Sequence, residues 1–123
     1  AYAIVAANIG FTDWAYKYFM KTATVDLNGS TRQYLGSLYI GGTHPAANGG
    51  SWNTAIYGFA GVSYKDGILD ISPNIPDKWQ SLSFKLLWQG VRLTVVIGKN
   101  GVKVSPDKKA NLDITVNGKK IEV

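Results

Sequence analysis

From Leu82 onward, apolar and polar residues alternate with period two, and glycine-containing pairs interrupt the alternation. Leu82-Ser83-Phe84-Lys85-Leu86 and Val91-Arg92-Leu93-Thr94-Val95 flank Gln89-Gly90. Asn100-Gly101 joins 95–98 to 102–104, and Asn117-Gly118 joins 112–116 to 121–123. Period two sends successive side chains to opposite faces of a strand. Asn-Gly supplies the positive φ that a two-residue hairpin turn needs. Ile68-Leu69-Asp70-Ile71 reads as a further short strand, and Pro73 and Pro76 bound a stiff connector. The expectation for residues 66–123 is an antiparallel meander of about six strands, a sheet or half-sandwich that starts at Asp66-Gly67. It would pack on whatever precedes it.

What precedes it is helical in pattern. Residues 2–9 read as the closing turns of a helix that Gly10 terminates. Thr12 or Asp13 then caps a second helix running to about Val25. Trp14, Tyr18 and Val25, with Ala15 and Phe19, fall near one face, and Tyr16, Lys17 and Lys21 lie largely elsewhere. So short a connection predicts an antiparallel αα-hairpin. Its aromatic side is too large to bury against itself and calls for a partner outside these residues. From 26 to 50 no period is sustained: Asn28-Gly29-Ser30 signals a turn, and 34–40 holds a short strand at most. Ser51 is expected to cap a third helix over 52–62, with Trp52, Ile56, Phe59 and Val62 on its apolar face. Gly58 and Gly61 weaken such a helix by about 1 kcal/mol each, so a closely approaching neighbour must hold it. The fold class expected is α+β, divided into 1–65 and 66–123.

The 123 residues suit one compact domain, and 46% hydrophobic content is that of a globular chain. No apolar run reaches the roughly 18 residues that a membrane span needs. The first residues are apolar without a basic flank, so they do not read as a signal peptide. They open inside a helical pattern with no methionine, which leads us to expect a piece of a longer polypeptide. There is no cysteine, which removes disulfides, thiolate nucleophiles and cysteine-ligated zinc and allows a reducing compartment; the location expected is cytoplasmic. One histidine and one glutamate, Glu122, leave no metal site of several histidines. The net charge is +5, but the lysines are scattered through alternating sequence as on the solvated faces of strands. No nucleic-acid groove is expected.

The chemistry concentrates in 41–52, which contains His44, Gly49-Gly50 and Ser51. Amides at a helix start carry partial positive charge and bind anions, and glycines let an anion approach the backbone. The plain alternative is a glycine-rich connector with a capping serine. Elsewhere the chemistry is thin. His44 has no serine or carboxylate at motif spacing. Asp13 and Asp26 read as cap or helix-end residues, and Asp66, Asp77, Asp107 and Asp113 sit in turns or strands. Ser51 lacks the hydrolase elbow, and neither a P-loop nor a dinucleotide fingerprint occurs. No catalytic residue is expected within this chain.

Several motifs occur in a particular order. Ala15-Tyr16-Lys17-Tyr18-Phe19-Met20-Lys21-Thr22-Ala23 and Asp26-Leu27 precede Gly42-Thr43-His44-Pro45-Ala46-Ala47-Asn48-Gly49-Gly50-Ser51-Trp52. Tyr57-Gly58-Phe59-Ala60-Gly61-Val62, Asp66-Gly67 and Ser72-Pro73-Asn74-Ile75-Pro76-Asp77-Lys78-Trp79 follow. This series resembles the C-terminal part of family 65 glycoside hydrolases, a family of maltose, trehalose, kojibiose and nigerose phosphorylases and of acid trehalases. The resemblance runs over about residues 1–104; beyond Pro106 only the strand pattern supports it. It implies that 1–65 are the last helices of an (α/α)6 barrel and 66–123 a small C-terminal β-sheet domain. It also implies inverting phosphorolysis of an α-glucosidic disaccharide to β-glucose 1-phosphate, with inorganic phosphate as co-substrate and no cofactor. The family's general-acid glutamate lies in an earlier barrel helix, and Glu122 is not it, so this chain alone is expected to be inactive. His44, Gly49, Gly50 and Ser51 are carried over as part of the phosphate site. The implied partners are the disaccharide, phosphate and the remainder of the parent polypeptide, itself a candidate homodimer, with no membrane.

Two other readings stay open. A hydrolase of the same family would use water in place of phosphate. A non-catalytic carbohydrate-binding or structural module would stack sugars on Trp79 or Trp88, although Trp79 is favoured as packing at the junction of the two parts.

Overall fold

The computed structural model describes residues 1–27 and 43–123 in full, and between them the backbone of two short strands. The turn expected at Asn28-Gly29-Ser30 lies outside the described residues, as do Gly41 and Gly42. The architecture is α+β. Helices α1 (Tyr2–Asn8), α2 (Thr12–Ala23) and α3 (Pro45–Asn53) precede the sheets, and a π-helical segment, Thr54–Phe59, continues α3. Strands β1 (Gln33–Leu35) and β2 (Leu38–Ile40) pair antiparallel, so the single short strand expected over 34–40 is in fact two.

Gly10 ends α1 as expected. At φ +87° it lets Phe11 N–H reach Ala6 O at 2.8 Å and Gly10 N–H reach Ala7 O at 3.1 Å, the paired bonds of a Schellman motif. The second helix differs in its start and its end. Its N-cap is Phe11, without a side-chain cap, and it stops at Ala23. Thr12 is already helical, and its hydroxyl donates to Asn74 Oδ1 at 3.2 Å instead of capping. The apolar face is also divided differently: Ala15 is fully buried and Phe19 packs inward, while Trp14 and Tyr18 stay exposed. Tyr16 turns toward the interior against Trp79.

The third helix departs most. It starts seven residues before the expected Trp52, and Ser51 sits inside it with its hydroxyl donating to Ala47 O at 3.0 Å. Pro45 occupies a first helical position, where its fixed φ fits and its missing N–H costs nothing. Across the π segment Ala60 N–H reaches back five residues to Ala55 O, at 2.9 Å. The close approach anticipated from glycine is real at Gly58, where an added Cβ would lie 3.3 Å from Ile4 Cα and 3.4 Å from Ala7 Cβ of α1. At Gly61 the neighbour is not a helix but the backbone of Ser72.

Val62 belongs to a strand rather than to the helix. β3 (Val62–Lys65) and β4 (Ile68–Ile71) form a hairpin over Asp66-Gly67, both at positive φ. β5 (Ser81–Trp88), β6 (Val91–Gly98) and β7 (Gly101–Pro106) make a three-stranded antiparallel sheet. Gln89-Gly90 turns as expected, both at positive φ, whereas Lys99-Asn100 form the β6–β7 turn and Gly101, at φ +114°, opens β7. β8 (Ile114–Val116) and β9 (Lys119–Ile121) form a hairpin over Asn117-Gly118. The meander expected for 66–123 does not form. Instead β8 runs parallel to β4, giving a second sheet of order β3-β4-β8-β9. Turn signals specify hairpins, but they carry no information about which hairpins then meet.

The inner faces of the two sheets share one core, in which Leu69, Ile71 and Ile114 meet Val91, Leu93, Val95 and Ile97. Ile56 and Ala60 close it from the helical side. A second cluster, Ala7, Ala15 and Phe59 with Phe19, Tyr16 and Trp79, joins helices to sheets. Trp79 stands edge-on to Phe59 (5.0 Å between centroids), Phe19 (5.4 Å) and Tyr16 (6.4 Å). Edge-to-face pairs at these separations contribute beyond their buried area. Trp79 is a junction residue.

Candidate functional site

His44 is the N-cap of α3, in extended conformation, and its carbonyl accepts from Ala47 N–H at 2.9 Å and Asn48 N–H at 3.1 Å. Its own N–H donates to Asp26 Oδ2 at 2.8 Å, and its ring Nδ1 is hydrogen-bonded to Asp26 Oδ1. Asp26 lies just past the end of α2, so one carboxylate grips both the backbone and the ring of a residue 18 positions away. The Asp26 side chain is 12% exposed and that of His44 32%. The His44 ring bond, then the His44 backbone N–H, hold the Asp26 carboxyl below its ordinary range against the opposing pull of desolvation; the His44 charge and an Asn48 side-chain bond add to the lowering.

This geometry revises the anion site expected from sequence. The helix start is at His44-Pro45, and the anion placed against it is the protein's own Asp26, which satisfies an N-terminal amide and faces the positive end of the helix dipole. Gly49, Gly50 and Ser51 lie within α3, where interior amides bond carbonyls one turn back. They are therefore not helix-start donors. Ser51 stands two turns along from His44, about 10 Å on the helix axis. Gly49 is exposed with open space over its Cα, whereas a Cβ on Gly50 would touch Thr22 Cγ2 of α2 at 4.0 Å. The structure brings His44 to Asp26, and it leaves the glycines and Ser51 on the helix beyond. In sequence Asp26 reads as a cap or helix-end residue, and nothing in its spacing announces its partner.

A second polar cluster sits in the β part. Asp70 Oδ2 accepts from Ser72 Oγ at 2.6 Å, and Oδ1 accepts from Thr115 Oγ1 and, at 3.0 Å, from Gly118 N–H. Desolvation raises its pKa, but the Ser72, Thr115 and Gly118 donors together outweigh this and hold the carboxyl low. The Thr115 and Gly118 bonds tie β4 to the β8–β9 hairpin and the Ser72 bond is local to the end of β4, so its role is structural. A cleft of about 320 Å³ adjoins it, lined in part by Ser63, Ser72, Asn74 and Tyr57. Among the described residues no three histidine, cysteine or acidic side chains gather to hold a metal, and no helix is long and apolar enough to cross a membrane.

A helical layer whose aromatic face stays exposed, joined through Trp79 to a two-sheet β domain, is the arrangement that comparison with known proteins identifies. Residues 62–123 match the model of the glycosyl hydrolase family 65 C-terminal domain, and the chain belongs to that family. Proteins that it resembles include phosphorylases. A nigerose phosphorylase from Lachnoclostridium phytofermentans is 41% identical over 75% of this chain and 12% of its own length. A kojibiose phosphorylase from Halothermothrix orenii is 39% identical over 99% of this chain and 16% of its own. A solved structure, described as a putative kojibiose phosphorylase from the human microbiome, superposes with a TM-score of 0.84 at 30% identity, covering 98% of this chain and 15% of that one. The chain thus spans about a seventh of the length of these relatives.

Proposed function

We propose that this chain is the C-terminal portion of an inverting disaccharide phosphorylase, in which the helices that precede β3 complete an (α/α)6 barrel and His44 forms one wall of the phosphate pocket. The observation that carries the reading is the Asp26–His44 pair. An imidazole held rigidly at a helix start beside a carboxylate is a preorganised hydrogen-bonding group that costs little ordering when a ligand arrives. The phosphorylase relatives support the substrate class, an α-glucosidic disaccharide with inorganic phosphate, and β-glucose 1-phosphate as product. Gly49, Gly50 and Ser51 then contribute from the shape of α3 rather than from free amides, Gly49 by leaving the helix surface open. The exposed face of Tyr2, Ile9, Phe11 and Trp14 is covered by the other barrel helices in this reading. The general acid comes from outside this chain in this reading. Location in the cytoplasm and a homodimeric parent complete the proposal.

The test is made in the full-length enzyme. His44→Ala is expected to raise the phosphate KM by tenfold or more while the disaccharide KM changes little. Unchanged phosphate dependence removes His44 from the site. Hydrolysis at an equal rate without phosphate replaces the phosphorylase reading with the hydrolase one.

A further inference from the structure

We propose that Asp26 is a positioning residue for His44, holding its imidazole in the Nδ1–H form so that Nε2 meets phosphate and shares the proton of the monobasic ion. The proposal rests on the reading of His44 as a phosphate contact and deepens it. An ionised carboxylate only accepts hydrogen bonds, so both groups it touches must donate. The backbone N–H of His44 always does. Nδ1 must therefore carry a proton as well. Fixing the backbone and the ring of one residue with one carboxylate sets both the position of the imidazole and its rotation about the side chain. Asn48, on the first turn of α3, is the other side chain on that carboxylate.

The consequence concerns the other ring nitrogen. A neutral ring protonated at Nδ1 has a lone pair at Nε2, and among the described residues Nε2 has no hydrogen-bond partner. Such an atom is an acceptor. It accepts from the P–O–H of monobasic phosphate, and it meets a charged oxygen of either ion only after gaining a proton. Along that hydrogen bond the proton passes from phosphate oxygen to Nε2, giving dibasic phosphate and an imidazolium, with no bond to phosphorus broken. The imidazolium then lies between two anions, Asp26 and phosphate, and its hydrogen bonds are charge-assisted. Phosphate is left in its more nucleophilic form. Asp26 thereby acts on the reaction without touching the substrate.

In the full-length enzyme, 15N-labelled over this segment alone by ligation, the segment's single histidine makes the labelled imidazole nitrogens report His44 alone. At a pH where the ring is neutral and without phosphate, the expected spectrum shows Nδ1 protonated and Nε2 bare. Added inorganic phosphate is expected to move Nε2 toward the protonated position. In Asp26→Asn the backbone N–H retains the amide oxygen and the amide NH2 is left facing Nδ1, so the proton should swap to Nε2. A wild-type spectrum with the proton already on Nε2 overturns the proposal, and it needs no variant to fold. A ring protonated at Nδ1 that ignores phosphate overturns the role toward phosphate through failure of the underlying site reading, and the tautomer tells the two failures apart.

Discussion

Gly61 and Ser72 run so close together that a methyl group on Gly61 would lie 1.8 Å from the Ser72 carbonyl oxygen. Ser72 N–H in turn donates to Gly61 O at 3.2 Å, which closes the end of the β3–β4 hairpin. Gly61 is also at φ +62°, a conformation that side-chain-bearing residues enter at a cost. Gly61→Ala therefore meets both strain and a backbone clash, and we expect a loss of about 3 kcal/mol or more. Urea unfolding measures it; a loss below about 1 kcal/mol would mean that the contact relaxes easily.

Asn74 joins three helical elements. Its Nδ2 donates to Ala7 O at 2.7 Å, its Oδ1 accepts from Thr12 Oγ1 at 3.2 Å, and its N–H donates to Phe59 O at 2.7 Å. Asn74→Ala removes both side-chain bonds and leaves part-buried groups unpaired, for an expected cost of about 2 kcal/mol. Amide exchange should accelerate in α1 and at the start of α2 ahead of β5–β7. Uniform acceleration across the chain would argue against a local staple.

Phe59 is fully buried at the centre of the aromatic junction. Truncation to alanine leaves a void that Phe19 and Trp79 cannot both fill, so Phe59→Ala should cost about 3–5 kcal/mol and Phe59→Leu clearly less. Equal costs for the two variants would show that volume is not what the site requires.

Asp26 and Asp70 both have carboxyls held below the ordinary range by donors that need the ionised form. A carboxyl with a lowered folded pKa contributes stability that is complete above its unfolded value, about 3.9. That contribution is lost as pH falls through the lowered folded value. Stability should therefore decline below about pH 4, and the decline should be shallower in Asp70→Asn. Denaturation midpoints measured between pH 2 and pH 6, a range set by the roughly 3.9 reference value, give the slope. An identical slope in the variant would exclude Asp70 as a contributor.

The parts legible in the sequence are those that local chemistry fixes. Gln89-Gly90, Asp66-Gly67 and Asn117-Gly118 turn where their glycines and small or polar residues allow positive φ, and Gly10 stops α1. Helix starts are less legible, for a definite reason. Ser51 has the chemistry of a cap, yet Pro45 supplies a stronger start and Asp26 satisfies the His44 amide from a distance. Val62 fits a helical face and a strand equally well. Pairing across 45 residues, as between Asp70 and Thr115, leaves no local trace at all. The candidate site was legible as His44 but not as the pair, since an aspartate 18 residues away matches no short motif.

The parallel partnership of β4 with β8 also sets an order of events during synthesis. Ile68–Ile71 can pair with β3 as soon as it emerges, and β5–β7 can close entirely among themselves. The other edge of β4 must wait until Ile114–Val116 has been made. For that interval the nascent chain exposes an apolar strand edge open to the wrong neighbour. Contacts this distant in sequence are slow to form, which makes the β8–β9 hairpin the closing clasp of the domain and the segment whose loss would leave that edge open permanently.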